Sequence, residues 1–186
     1  MNKNTTKILN DLKISIDEAV RHREIWWELG FSQNRKEFKA EFDSQEYNYY
    51  LHASYEAHSL SMFLALGKIF DPDSRSSSIR ALKANLAENG RKDISLLISE
   101  TLKPFEINVQ KILDVRSKII AHTDTNYTEQ SVLKSNSLSP NDIKDLILNV
   151  RETYYMVLQR LLLNTKQHPD GAFSESTLHV LRKLKT

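Results

Sequence analysis

The stretch Leu60-Ser-Met-Phe-Leu-Ala-Leu66 is apolar almost all round. A helix that is hydrophobic on every side is expected in the middle of a protein, where neighbouring elements cover it. The helical pattern extends back to Ser44, whose side chain is typical of an N-cap, and Asp71-Pro72-Asp73 ends it. The sequence therefore predicts a long central helix from Ser44 to Phe70.

The chain on both sides of this helix repeats the spacing of apolar residues at three- and four-residue steps. Four glycines and four prolines are too few for the turns of an all-β protein. We predict an all-α fold, an antiparallel bundle of four to five long helices in a single domain, 1–186, with its core at about 44–166. The other predicted helices cover 3–29, 78–89 and 93–120, the last of them capped by Asp93 and kinked or broken at Pro104. A helix over 140–166 starts at Ser139-Pro140 and buries Leu161 and Leu162, and a short basic helix covers 174–184. The predicted connectors are 31–43, with room for a short helical turn, and 123–139.

Composition excludes several classes of protein. The chain has no cysteine, which rules out a disulfide framework and thiolate metal sites and fits a reducing compartment. No apolar stretch approaches the roughly 20 residues of a membrane span, and the N-terminal residues do not resemble a secretion signal. We therefore expect a cytoplasmic protein that does not enter a membrane. The net charge of +2 does not by itself point to nucleic acid.

The first half of the central helix carries a strip of histidine and tyrosine side chains. His52 and Glu56 lie one helical turn apart in it. Such a strip is either a satisfied core network or part of a site. His52 and His58 do not have the spacing that puts two metal ligands on one helix face, so we expect no metal and no cofactor.

A second stretch contains the residues that we expect to be catalytic if the protein is an enzyme. It is Leu113-Asp-Val-Arg-Ser-Lys-Ile-Ile-Ala-His-Thr-Asp124. On an ideal helix Arg116 and His122 are separated by roughly 9 Å of rise and about 120° of rotation, so a shared site requires the helix to end or bend near His122. A second subunit could also supply the partner. A histidine can exchange a proton near neutral pH, and an arginine can hold a phosphate and stabilise its charge. The plainer alternative is that His122 only meets the dipole at a helix C-terminus.

The segment Arg116-Ser-Lys-Ile-Ile-Ala-His122, on the penultimate long helix of an all-α bundle, resembles the Arg-x(4–6)-His motif of HEPN domains. The wider setting resembles the AbiU-type abortive-infection branch. The resemblance covers roughly 45–165 and includes Ile69-Phe-Asp-Pro-Asp73 and a Ser-rich step into Ile79-Arg-Ala-Leu82.

This resemblance implies a homodimer in which two Arg–His pairs face one cleft and cleave RNA without a metal, leaving a 2′,3′-cyclic phosphate. Arg116 would hold the scissile phosphate, and His122 would act as acid or base. A cognate antitoxin is a further implied partner. The residues expected to support RNA binding are Ser117, Lys118, Asp124, Tyr127, His52 and Glu56.

The sequence departs from the family pattern at two positions. Ser117 stands where the family often has Asn, Asp or His, and Asp124 stands where toxins paired with nucleotidyltransferase antitoxins often have a tyrosine. Modification at that position is therefore not supported, although Tyr127 is near.

Two interpretations follow. A ribonuclease predicts a basic, wet cleft shared by two chains. A non-catalytic helical dimer, acting as a nucleotide- or protein-binding module, predicts that Arg116 forms a salt bridge, for example with Asp114, Asp124 or Glu56. It also predicts that His122 is buried with a single backbone partner. A helix-turn-helix DNA binder is disfavoured because the short turn with its glycine is missing.

Overall fold

The computed structural model of the protein describes residues 3–31, 33–121, 137–164 and 169–185, and in these ranges it contains helices and no strand. The all-α prediction is confirmed. A 3₁₀ turn, Lys103–Phe105, separates α6 from α7. The helices are α1 (Lys3–Gly30), α2 (Asn34–Glu37), α3 (Lys39–Asp43), α4 (Asn48–Ile69), α5 (Ile79–Glu88), α6 (Lys92–Leu102), α7 (Glu106–Ala121), α8 (Pro140–Arg160) and α9 (Ala172–Leu184).

The two longest helices, α1 and α4, run antiparallel along each other. Near one end Lys68 Nζ donates to Glu18 Oε2 at 3.2 Å, and near the other end Gly30 lies against the ring of Tyr55. The main core forms where α5, α6, α7 and α8 pack around this pair. Each fully buried aliphatic or aromatic side chain contributes about 1.5–3 kcal/mol to stability. The fully buried residues of the main core include Leu12, Trp26, Met62, Leu66, Leu82, Ile98, Ile112, Val115, Ile143 and Leu146.

A smaller core attaches α9 to the rest of the bundle. Leu181 of α9 is buried together with Leu29, Phe38 and Leu51. The predicted connector over 31–43 therefore contains α2 and α3, and it helps to seat the C-terminal helix. Among the described residues, no helix has the length and apolar character needed to cross a bilayer.

Several helix ends follow directly from local sequence. Ser139 and Asp142 form a capping box, in which Ser139 Oγ accepts the Asp142 amide at 3.1 Å and Asp142 Oδ2 accepts the Ser139 amide at 2.8 Å. Pro140 occupies the first helical position, where its missing N–H leaves no bond unmade. Pro104 falls in the 3₁₀ turn between α6 and α7. These starts and the break at Pro104 are confirmed.

Two predicted caps are wrong. Ser44 does not start α4; it is the C-cap of α3, and α4 begins at Asn48 after Tyr47. Asp93 does not cap α6 but lies in its first turn, after Arg91 at the N-cap. In both cases a residue that often caps helices lies near the helix start, but the helix begins at a different residue from the one predicted.

The prediction that α8 continues to residue 166 is wrong because the helix ends at Arg160. Leu162 takes the left-handed conformation (φ 58°), and the Leu163 amide donates back to Leu158 O at 2.9 Å. This is the Schellman geometry that usually uses glycine. As a result Leu162 is 92% exposed, although the helical pattern had predicted it to be buried.

The prediction that Leu60–Leu66 is covered on every side is also wrong for one face of α4. Met62, Phe63, Ala65 and Leu66 are buried, but Leu60 is 41% exposed and Leu64 is 36% exposed. When apolar residues are spread evenly around a helix, its sequence does not indicate which face will be exposed to solvent.

Candidate functional site

Arg116 lies on α7 and reaches across α4. Its neighbours Ile112 and Val115 are fully buried, which fixes the rotation of α7 and places the partly exposed Arg116 beside α4. The arginine side chain passes over the backbone of Gly67. A Cβ built on Gly67 would lie 2.6 Å from Arg116 Nε and 3.1 Å from Arg116 Cζ, and closer still to Cδ. The space that Arg116 occupies exists because residue 67 has no side chain.

Within the described residues, Arg116 makes no hydrogen bond and no ion pair. Two of the acids predicted as salt-bridge partners of Arg116 have other partners. Asp114 accepts from Gln110 Nε2 at 3.0 Å, and Glu56 Oε1 lies 3.3 Å from His52 Nδ1. The salt bridges that a purely structural role predicted from Asp114 and Glu56 to Arg116 are therefore not formed. Arginine side chains with a purely structural role normally form hydrogen bonds or ion pairs with other protein groups.

The other predicted residues of the motif are only partly visible. Ser117 follows Arg116 and is exposed, and Lys118 is partly exposed. His122, Asp124 and Tyr127 lie outside the described residues. His122 follows in sequence directly after α7, whose described part ends at Ala121.

His52 and Glu56 are not part of the Arg116 contact. Both side chains are well exposed on the first half of α4, whereas Arg116 crosses α4 at Gly67 near its end. Helix geometry places Glu56 roughly 16 Å and His52 roughly 22 Å from Gly67 along the axis. His52 instead lines a separate pocket of about 270 Å³ with Phe31 and Tyr55. Any role for these two residues in RNA binding stays a prediction.

Exposed apolar and small residues form a continuous stripe on α4. We call Tyr50, Ala53, Ala57, Leu60 and Leu64 the α4 stripe. All five are exposed, and they follow each other at steps of three, four, three and four residues, the spacing of a helix–helix seam. The next position in this pattern is Gly67, which Arg116 covers. The stripe therefore ends at the arginine.

Sequence reasoning did not identify Gly67, although a signal was present. Inside a helix glycine is less favourable than alanine by about 1 kcal/mol, so it indicates a packing requirement. Gly90 and Gly171 have positive φ values, but Gly67 does not. Its backbone conformation does not require glycine, and among the described residues the contact with Arg116 accounts for the missing side chain.

A histidine pair between α1 and α4 was also not predicted. The Nδ1 atoms of His22 and His58 lie 2.8 Å apart, so one ring donates to the other and double protonation would break the contact. Burial lowers the pKa of both rings, and for His22 the neighbouring His58 and Arg21 lower the pKa further while Glu18 opposes them. In the described part of the chain, no group of three or more potential metal ligands comes together.

Comparisons with known proteins give one match. The model of the HEPN_AbiU2 family, described as AbiU2, matches residues 3–178. Neither a curated protein nor a solved structure matches the chain. The family match extends well beyond the segment from which the resemblance was read, since it includes α1 and more than half of α9.

Proposed function

The chain belongs to the HEPN_AbiU2 family of abortive-infection HEPN modules, and from this premise we propose that it is a metal-independent endoribonuclease of a defence or toxin system. Its substrate would be RNA, cut at a cleft between two copies of the chain. Arg116 and His122 would be the catalytic residues. An enzyme of this kind requires a means of restraint, and a cognate antitoxin is the partner that fits.

The reaction uses the RNA's own 2′-OH as nucleophile. The 2′ oxygen attacks the adjacent phosphorus while the bond to the 5′ oxygen of the next nucleotide breaks, which gives a 2′,3′-cyclic phosphate and a 5′-OH. His122 would accept the proton of the 2′-OH or give a proton to the departing 5′ oxygen. Arg116 would hold the phosphate oxygens, whose negative charge increases in the transition state.

The observation that best supports this proposal is that Arg116 is partly exposed and has no partner among the described residues. The fold places a guanidinium against α4, leaves it partly exposed, and gives it no partner among the described residues. Five N–H donors with no acceptor among the described residues suit a phosphate, which accepts two parallel hydrogen bonds from one arginine. The structural alternative predicted a salt bridge from Arg116 to Asp114, Asp124 or Glu56. Asp114 accepts from Gln110 instead, Glu56 lies far along α4, and Asp124 is outside the described residues.

The α4 stripe supports the dimer. Leucine and alanine side chains at seam spacing are costly to leave in water, and a second copy of the same stripe would cover them. Because the stripe leads into Gly67 and Arg116, a copy packed on it would stand beside the arginine. The two-chain cleft that the proposed reaction requires would then form at this end of α4.

The test of the proposed activity is cleavage of a labelled, structured RNA in EDTA by the wild type and by His122→Ala. We expect the wild type to cut and to leave 2′,3′-cyclic phosphate ends, and the variant to lose about 100-fold or more in rate. Cleavage that stops in EDTA, or products with 3′-OH ends, would contradict the proposal. If a broad set of structured RNAs gave no cleavage, a non-catalytic binding module would be favoured.

The test of the dimer is sedimentation of a Leu60→Glu/Leu64→Glu variant. We expect the wild type to be a dimer at micromolar concentrations and the variant to be a folded monomer, because two charges would be buried in the interface. The matched control is Leu96→Glu on α6, where an equally apolar side chain is 62% exposed away from the α4 stripe. A monomeric wild type, or an equal effect of the control, would refute this interface.

A further inference from the structure

Gly67 is buried in the last turn of α4, beneath Arg116. The contact involves Cδ, Nε and Cζ of the arginine, which are the atoms that determine where the guanidinium points. Ordinary contacts between such atoms are about 3.5–4.0 Å long. A methyl group at residue 67 would be too close to all three, so the arginine would have to move.

We propose that Gly67 is a positioning residue, whose missing side chain sets the path of Arg116 across α4 and thereby the place of its guanidinium. The catalytic consequence rests on the proposed ribonuclease function, but the contact itself does not. An arginine side chain is flexible, so α4 can accept a methyl group at residue 67 if the guanidinium swings away. The expected effect of the methyl group is therefore on the site more than on the fold.

The first experiment is a thermal double-mutant cycle with the wild type, Gly67→Ala, Arg116→Ala and the double variant. With Arg116 removed, Gly67→Ala should raise the melting temperature, because alanine favours helix more than glycine does. With Arg116 present, the same substitution should raise the melting temperature less or lower it, since the new methyl group displaces the arginine.

Each outcome of the cycle decides the matter. Non-additive shifts support the proposal. If Gly67→Ala does not fold but the double variant does, the coupling is shown in its strongest form. Equal shifts in both backgrounds, or a double variant that also fails to fold, overturn the proposal because Gly67 would then serve something other than Arg116.

The second experiment separates positioning from stability by measuring RNA cleavage in EDTA. We expect Gly67→Ala to lower the single-turnover rate at saturating protein by about 100-fold, the effect of a misplacement on the order of 1 Å. Binding of an RNA with a 2′-deoxy nucleotide at the cleavage site should change by less than about three-fold, because one phosphate contact among many is affected.

The matched control is Gly30→Ala. A Cβ at residue 30 would also be crowded by a side chain of α4, lying 3.1 Å from Cδ2 of Tyr55, but at the opposite end of that helix. We expect the control to alter the melting temperature and to leave cleavage at the wild-type rate.

Wild-type cleavage by Gly67→Ala, or an equal loss in Gly30→Ala, overturns the positioning role. If the wild type cuts no RNA, the proposed function fails, and the thermal cycle still decides whether Gly67 positions Arg116.

Discussion

Glu24 and Arg116 are both charged side chains that lie against a neighbouring helix, and the fold treats them in opposite ways. Glu24 is 1% exposed, and its carboxylate accepts the backbone amides of Gly171 at 3.0 Å and Phe173 at 2.9 Å. These amides stand at the start of α9, whose first N–H groups have no partner inside the helix. Arg116, by contrast, has no protein partner in the described part of the chain.

We propose that this difference separates a charge used for folding from one available to a ligand. Burying a carboxylate is unfavourable unless hydrogen bonds replace its water, and Glu24 has those bonds. They join α9 to α1 across most of the sequence. Among the described residues, Arg116 shows only the packing of its side chain on α4, so the described part of the bundle gains little from its charge.

The largest effect on stability is expected at Glu24. Replacing Glu24 with alanine would remove the acceptor of the Gly171 and Phe173 amides. The buried Arg23, which donates to Glu24 at 3.5 Å, would lose this contact as well. Breaking a buried charged network in this way costs about 3–5 kcal/mol. For a chain of this size we expect Glu24→Ala to lower the melting temperature by roughly 6–20 °C.

A calorimetric scan would measure this loss, and Glu175→Ala is its control. Glu175 is an exposed acid in the first turn of α9, so its removal should change stability by less than about 0.5 kcal/mol. If both variants lost equal stability, the α9 N-terminus would not depend on the buried carboxylate.

A smaller effect on stability is expected at the His22–His58 pair. There the fold disfavours the charged, protonated form of both rings. The pKa of each ring is lowered in the folded protein, so the unfolded chain binds protons more readily as the pH falls through about 6.5. The contribution to stability is therefore fully present above the unfolded pKa. It is lost as the pH falls through the lowered folded values.

Urea unfolding at pH 7.5 and pH 5.5 would test this dependence. We expect the wild type to lose stability at the lower pH, and a His22→Gln/His58→Gln variant to lose less. His179→Gln, at an exposed position on α9, is the control for the loss of a histidine outside the pair. An identical slope in the wild type and the double variant would exclude the pair as its source.

Much of the fold could be predicted from sequence because helices are encoded locally. Apolar spacing located α1, α5, α7 and α9, and Ser139 with Asp142 marked the start of α8. The errors occurred where tertiary context decides. Leu162 fits the apolar pattern of α8, yet the chain turns before it. Leu60 and Leu64 belong to an apolar run, yet no described helix covers them.

The candidate site could be predicted only in part. Its arginine stands in a recognisable motif, so Arg116 could be proposed from the sequence, and its role stays a prediction. Its packing partner was not found, because periodicity shows which face of a helix is apolar but not which helix lies against it. The contact of Gly67 with Arg116 joins α4 to α7, and that of Glu24 with Gly171 joins α1 to the start of α9. Only the folded structure reveals such pairs.

The central claim is that Arg116 serves a ligand and not the fold, and one variant tests it directly. On a single preparation of Arg116→Ala, we would measure the melting temperature and the rate of RNA cleavage in EDTA. We predict a shift of less than about 3 °C, since no hydrogen bond to a described residue is lost, together with a loss of at least about 100-fold in rate. A large loss of stability, or cleavage at the wild-type rate, would contradict the account.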